Sequence, residues 1–447
     1  MIVSDAFAAK RYAVLGLARS GMASVDALLA SGAHVMAWDS REEPRQALEG
    51  RVELTDPVSA DLTGYDGVVV SPGVPLNRHP ITEAAAAADV PIIGDIELFA
   101  LARASLPAHR VIGITGTNGK STTASLVHHI LKSAAIPVRL GGNIGIPILS
   151  QEPLAPGGVY VLELSSYQID LTLSLDCDIA VLLNITPDHL DRYDGFAGYV
   201  ASKARLFEMQ GEGHVAVFGV GDEETAIIAG KQAARLGPDM VAQVDGAEIA
   251  QLQKNWPSLQ GPHNLQNAAV AVTIVEALGI TQAQWQASLP TFRGLPHRME
   301  RVADLGGVLF INDSKATNAA SAAPALAAFP PDPGPRIHWI VGGLPKEDSL
   351  DECAPYFGHV AAAYTIGDAG PRFAEVLAPY THVTRSEMLA EAIRQAMAAA
   401  KPGDVVMLCP ACASFDQFRD FEARGDAFCQ IVEALAEQQQ AAPGKAD

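Results

Sequence analysis

The sequence predicts an α/β fold in three successive parallel-sheet domains: an N-terminal Rossmann-like domain, a central P-loop ATPase-type domain and a C-terminal Rossmann-like domain. Three observations lead there. Short apolar runs alternate with helical patterns along the chain. Glycine-rich turns stand between an apolar run and a helix at two places, GLARSG and TGTNGKST. The 447 residues also exceed what one core supports, and favour about three domains of roughly 150 residues.

The opening run Tyr12 to Leu17 ends in GLARSG, a helical pattern follows, and His34 to Trp38 supplies a second strand. The glycine pattern is G-x-A-x-x-G, so Ala18 puts a methyl group where backbone meets pyrophosphate in a dinucleotide fingerprint. Asp39 closes the second strand at the place of a ribose-binding acid, followed by Ser40 and Arg41. A nucleotide site and plain helix-strand packing both produce this pattern. Gly67 to Val70 reads as a strand and Ser71-Pro72-Gly73 as its turn, at the sheet end where ligands collect.

The second unit begins after Ser105-Leu106-Pro107. Strand Arg110 to Ile114 runs into Thr115-Gly116-Thr117-Asn118-Gly119-Lys120-Ser121-Thr122 and a helix. Glycines let backbone N–H groups face phosphate oxygens, and the helix N-terminus adds partial positive charge. Lys120 reaches the outer phosphates and Ser121 suits Mg²⁺. Ile114 stands where the strict P-loop has its first glycine. Strand Val159 to Leu164 delivers Glu163, and strand Ile179 to Asn184 is followed by TPDHLDR with His189. Taken singly each of these residues reads first as a surface side chain; their shared position at strand ends beside the loop raises a metal role to equal standing.

The third unit starts near His297. Strand Gly307 to Asn312 leads into Asp313-Ser314-Lys315-Ala316-Thr317-Asn318 and an alanine-rich helix, and strands follow at Ile337 to Val341, Ala361 to Ile366 and Asp404 to Leu408. Ala84 to Ala88 reads as packed helix, and Glu437 to Asp447 as a disordered tail.

The net charge of −20 argues against nucleic acid as a partner, whose footprint is basic. Anionic substrates must be met locally by Lys, Arg, helix N-termini and metal, so Mg²⁺ is expected. No basic leader with an apolar core opens the sequence and no run of 18 apolar residues occurs, which predicts a cytoplasmic protein that does not enter a membrane. Five cysteines are an odd count, consistent with reduced thiols; Cys409 and Cys412 form a C-x-x-C without a second pair to complete a zinc site. The default expectation for assembly is a monomer.

Taken in order, TGTNGKSTT, LELSSYQ, TPDHLDRY, GPHNLQN, GLPHRME, INDSKATN and CPACASFDQF resemble the Mur ligase family, and NDSKATN and PACASFDQF are most similar to its D-glutamate-adding branch. The resemblance implies domains at 1–107 for a UDP-sugar, 108–296 for ATP and 297–447 for the amino acid. The implied substrates are UDP-N-acetylmuramoyl-L-alanine, D-glutamate and ATP, joined through an acyl phosphate in peptidoglycan precursor synthesis. By the same resemblance the UDP site includes Leu17, Ala18, Arg19, Asp39, Ser40 and Arg41, with Ser71, Pro72 and Gly73 nearby and Asn143 close to the substrate. The ATP site comprises Gly116, Thr117, Asn118, Gly119, Lys120, Ser121 and Thr122, joined by Asn264, Asn267, Arg298 and Asp313. Ser121, Glu163 and His189 hold Mg²⁺, and Lys203 matches the lysine that the family carbamylates. Metal binding by His189 stands beside a role as base, and is the preferred reading. Lys315, Thr317, Lys346, Ser414 and Phe421 face D-glutamate. Two departures stand out: GGLPKED replaces a GGDGKG-type loop around Lys346, and Cys409 stands where serine is frequent.

Two rival classes leave residues unused. A nicotinamide-dependent oxidoreductase explains the first unit and not the phosphate loop with Glu163 and His189. A nucleotide switch explains the phosphate loop and not NDSKATN or CPACASFDQF.

Overall fold

The computed structural model describes residues 1–188, 192–345 and 349–441, and among them sixteen strands form three sheets. In the first sheet β1 (Arg11–Leu15), β2 (His34–Trp38), β3 (Gly67–Val70) and β4 (Ile92–Ile93) run parallel in the order β2-β1-β3-β4. The second contains β5 (His109–Thr115), β6 (Val138–Gly142), β7 (Gly158–Glu163), β8 (Ile179–Leu182), β9 (Val215–Gly219) and β10 (Val241–Val244). It is fully parallel in the order β10-β9-β8-β5-β7-β6. The third holds β11 (Glu300–Leu305), β12 (Val308–Asn312), β13 (Ile337–Gly342), β14 (Val360–Ile366), β15 (His382–Glu387) and β16 (Val405–Leu408). Its order is β11-β12-β16-β13-β14-β15, and β11 alone runs antiparallel.

Central strands such as IAVL of β8 and VVML of β16 are buried throughout, because helices cover both faces of a parallel sheet and no face is left to be polar. In the first two sheets the chain leaves the first strand toward one side and later fills the other, so β1 and β5 each end at a topological switch point. Ligands of open α/β sheets bind at the carboxyl ends there. Both glycine-rich turns follow these two strands.

Two compact units emerge, Met1–Phe292 and Arg293–Asp447. The first contains two sheets fastened by polar and apolar contacts. Glu97 accepts hydrogen bonds from Leu173 N at 2.7 Å, Ser174 N at 2.9 Å and Ser174 Oγ at 2.6 Å, while Gly94 N donates to Leu171 O at 2.8 Å. Ile2, Phe99, Tyr160 and Leu162 belong to one buried apolar cluster that runs beneath both sheets. The alanine stretch lies in the helix Ile81–Ala87, with Ala85 buried. The helix Phe421–Ala441 extends through the first five residues of the segment expected to be disordered, correcting that expectation for 437–441; 442–447 lie outside the described residues. Among the described residues no helix is long and apolar enough to cross a membrane.

Candidate active site

Strand β5 ends at Thr115 and the helix Lys120–Ser133 begins after Gly119, whose φ of +84° places it in the left-handed region. A Cβ there would overlap Asn267 Oδ1, so the turn needs glycine on both grounds. The loop between is held from its flank: Thr117 N donates to Asn184 O at 2.9 Å, Asn118 N to Asn184 Oδ1 at 2.9 Å, and Thr186 N to Thr117 Oγ1 at 3.0 Å. Lys120 Nζ donates to Gly116 O at 2.9 Å and Thr117 O at 2.8 Å, placing its ammonium over the loop. Ser121 is buried in the first helical turn and Thr122 half-buried. The helix Pro262–Ala277 packs alongside, where Thr123 Oγ1 reaches Asn267 Oδ1 at 3.4 Å and Asn267 Nδ2 reaches Asn264 Oδ1 at 3.4 Å. The structure therefore brings Asn264 and Asn267 to the phosphate loop.

Lys203 comes to the same place from the helix Gly195–Glu208. Only 1% exposed, it donates from Nζ to Gly116 O at 2.8 Å and lies 4.6 Å from the Tyr199 ring centre, one helical turn earlier. Burial, and then the Lys120 ammonium, push its pKa down to about 7, so much of it is a neutral amine at physiological pH. Glu163 pairs with Ile114 of β5 and is 1% exposed. Its Oε1 accepts from Asn143 Nδ2 at 2.9 Å, whereas Oε2 is buried with no hydrogen-bond partner among the described residues. A buried carboxylate oxygen in that condition is costly unless something positive meets it. Among the described residues no group of three His, Cys, Asp or Glu side chains gathers as a metal centre. His189 lies outside the described residues, as does Lys346.

At the carboxyl end of the first sheet a cavity of about 460 Å³ is lined by Gly16, Trp38, Asp39, Ser40, Gly73 and His79, among others. Gly16 has φ of +89°, and a Cβ on it would sit 2.9 Å from Ser71 Cβ, while Ser71 Oγ donates to Gly16 O at 2.8 Å. Asp39 Oδ2 accepts from Leu17 N at 2.7 Å and Oδ1 from Arg41 N at 2.9 Å and Arg41 Nε at 3.1 Å. These bonds, the Arg41 side chain foremost, hold its carboxyl down at about 2. Ala18 stands at the N-cap position of the helix Arg19–Ala30 and gives it no side-chain cap. A smaller cavity of about 100 Å³ adjoins, sharing Val74 and lined by Pro72, Tyr167, Arg192 and Tyr193. Arg192 stacks 4.3 Å from the Tyr167 ring centre, and Tyr193 and Tyr199 rings stand 5.5 Å apart. Aromatic contacts thus lead from this cavity to Lys203.

The second unit gathers its own cluster. Asp313 follows β12, buried, with its pKa raised to about 6 by burial. Lys315 Nζ lies 5.7 Å from the Phe421 ring centre, and Ser314 Oγ donates to Phe421 O at 2.8 Å. Ser414 is buried, Thr317 and Arg298 half-buried. Sequence reasoning missed Arg424, a buried guanidinium that donates to Ser314 Oγ at 2.9 Å, Ser314 O at 2.9 Å, Cys412 O at 3.0 Å and Ala413 O at 3.1 Å. It ties the NDSKATN and PACAS loops together, and burial pushes it down to about 10. Asn184 and Tyr199 were missed too; only the spacing of Tyr199 four residues before Lys203 signalled it.

Family models match along the chain: a Mur ligase MurD-like N-terminal domain at residues 10–94, a Mur ligase middle domain at 114–275 and a Mur ligase glutamate ligase domain at 297–412. A UDP-N-acetylmuramoylalanine--D-glutamate ligase of Novosphingobium aromaticivorans is 70% identical over 99% of this chain and 98% of that protein. One of Sphingopyxis alaskensis is 58% identical over 97% of this chain and all (100%) of that protein. Solved structures share the fold at low identity. The UDP-N-acetylmuramate-alanine ligase MurC of Thermotoga maritima aligns with a TM-score of 0.57 at 16% identity over 95% of this chain and 99% of that one. MurF ligase of Thermotoga maritima, solved in complex with ADP, aligns with a TM-score of 0.54 at 14% identity over 98% of each chain. The chain belongs to the Mur ligase family.

Proposed function

We propose that the chain is an ATP-dependent amide ligase that adds D-glutamate to UDP-N-acetylmuramoyl-L-alanine in peptidoglycan precursor synthesis, releasing ADP and phosphate. The observation that carries this reading is the convergence of Lys120, Lys203 and Glu163 on one phosphate loop at a switch point. The relatives' names and the MurF complex with ADP support it. Three functional regions, 1–107, 108–296 and 297–447, acting as a cytoplasmic monomer, complete the proposal.

A carboxylate resists attack by an amine because oxide would have to leave. Transfer of the γ-phosphoryl group makes an acyl phosphate, from which phosphate departs readily. Phosphoryl transfer needs positioning and charge neutralisation rather than covalent help from the protein. The loop N–H groups and Lys120 supply these, with Asn264 and Asn267 beside the nucleotide. Alignment of the reactants contributes roughly 7–11 kcal/mol to such reactions.

Mg²⁺ fits the residues present, because Glu163 Oε2 is a buried acceptor without a partner among the described residues, Ser121 lies in the first turn of the helix, and Asn143 fixes the other carboxylate oxygen. When bound it supplies neutralising charge to phosphate oxygens. Lys203 as a carbamate would complete the oxygen ligands: its neutral amine forms an N–C bond to CO₂ and releases a proton, leaving an anionic carboxylate on the nitrogen. His189 joins this set. Arg298 and Asp313 serve ATP, and Lys315, Thr317, Lys346, Ser414 and Phe421 serve D-glutamate. The UDP moiety occupies the larger cavity beside Leu17, Ala18, Arg19, Asp39, Ser40 and Arg41, with Ser71, Pro72 and Gly73 at its rim.

Phosphate release tests the reading. It should require UDP-N-acetylmuramoyl-L-alanine and D-glutamate together, and diaminopimelate, L-alanine or a folate should not replace the latter, since buried groups left unpaired reject a substrate lacking their partner. Selective use of another amino acid would overturn the substrate and leave the ligase.

A further inference from the structure

We infer that Cys409 is a positioning residue for the nucleotide side of the reaction: its thiol fixes the Asp313 carboxyl group and, through it, the left-handed turn that presents Arg298. The inference rests on the reading that Asp313 and Arg298 serve ATP. Cys409 follows β16, is fully buried, and donates from Sγ to Asp313 Oδ2 at 3.4 Å. The other oxygen, Oδ1, accepts from Met299 N at 3.0 Å, and Asp313 N donates to Leu408 O at 2.7 Å. Backbone and carboxyl group are therefore both tied down, and the carboxyl orientation depends on one N–H and one S–H.

The N–H belongs to a strained segment. His297 and Met299, both non-glycine, have φ of +61° and +47°, flanking Arg298. Such a turn persists only where its surroundings hold it, and Asp313 Oδ1 is one of the holders. On the other side, Cys409 begins the loop whose Ala411 is also left-handed, at φ +54°, and whose carbonyls at Cys412 and Ala413 are fixed by Arg424. Cys409 thus links the loop carrying Ser414 to the turn carrying Arg298. The thiol must stay protonated to donate, and burial together with the Asp313 charge pushes it well above the ordinary thiol range.

Three charged or titratable groups bear on this pair from outside it: Arg298 lowers the Asp313 pKa, while Cys353 raises and Arg424 lowers that of Cys409; within the pair, the Cys409 hydrogen bond lowers the Asp313 pKa. Loss of the S–H donor removes one hydrogen bond that favours the carboxylate, so Asp313 protonates at higher pH. An ionised Asp313 accepts hydrogen bonds from a nucleotide; a protonated one is a poorer acceptor.

The test compares full-length wild type, C409A, C409S and D313N, measuring KM for ATP and kcat between about pH 6 and pH 9 with UDP-N-acetylmuramoyl-L-alanine and D-glutamate saturating. C409A should raise KM for ATP by about tenfold near neutral pH, the size of one lost hydrogen bond to a charged group. The defect should shrink as pH rises, KM for the UDP-sugar should not move, and C409S should stay within about twofold of wild type. A wild-type KM for ATP in C409A, or a loss equal at every pH and not restored by serine, overturns the inference. If C409A does not fold, serine carries the test alone: as the stronger donor it must shift the pH dependence of KM for ATP downward, and an unmoved profile overturns the inference. D313N separates the two levels. An unchanged KM for ATP there removes the ATP role of Asp313 and the inference with it, whereas a raised value in D313N with none in C409A removes the inference alone.

Discussion

The first unit contains two turns of the same build, GLARSG after β1 and TGTNGKST after β5, and their surroundings differ in sign. Around the first, an acid from the neighbouring strand closes the turn: Asp39 accepts from Leu17 N at 2.7 Å and is held down at about 2. Around the second, two amines converge on Gly116 O, Lys120 at 2.9 Å and Lys203 at 2.8 Å. Strand, glycine and helix N-terminus make a generic anion-tolerant turn. The side chains brought beside it decide which ligand it serves. An acid suits hydroxyl donors of a nucleoside, and paired amines suit phosphate; the carbamylation proposed for Lys203 would add a ligand for a hard cation.

The largest effect that would break this contrast is at Lys203. Lys203→Ala should nearly silence turnover, by on the order of 10³-fold or more, since it removes a charge-bearing group from a preorganised site. Added short-chain carboxylates should restore part of the rate; full activity without them would remove the carbamate from the account. Lys120→Ala should cost about 10²–10³ in kcat, the loss typical of one preorganised donor, with binding of the UDP substrate intact by calorimetry. Near wild-type turnover at saturating ATP would separate the loop from phosphate.

Asp39→Asn should act on the other turn only, raising KM for the UDP substrate by about three- to tenfold and leaving KM for ATP alone. Because Asp39 is held near 2, that penalty should be constant across the physiological range, unlike the pH-dependent behaviour expected of Asp313, raised to about 6. A penalty that appeared on ATP instead would exchange the roles of the two turns.

Much of this was legible in the sequence because central parallel strands are unbroken apolar runs and their loops carry chemistry at fixed offsets. His34–Trp38 and Gly67–Val70 have the expected bounds, and Glu163 stands at the end of its strand. Edge strands other than β2 were not legible. β10, β11 and β15 read VAQV, ERVADL and HVTRSE, half-exposed segments whose apolar signal is diluted by solvent-facing residues. β6 carries two glycines, and β4 has two residues. Among site residues, those that hold the loops were hidden for another reason. Asn184 and Arg424 act through contacts to backbone atoms distant in sequence, and no local spacing announces such a partner.

The central claim is that the enzyme activates a carboxylate by phosphorylating it, and isotope transfer tests this most directly. UDP-N-acetylmuramoyl-L-alanine labelled with ¹⁸O in its terminal carboxylate is turned over with ATP and D-glutamate, and the released phosphate is analysed by mass spectrometry. An acyl phosphate requires that one carboxylate oxygen leave with phosphorus, so each phosphate should carry one label. Unlabelled phosphate accompanying amide formation would contradict the account.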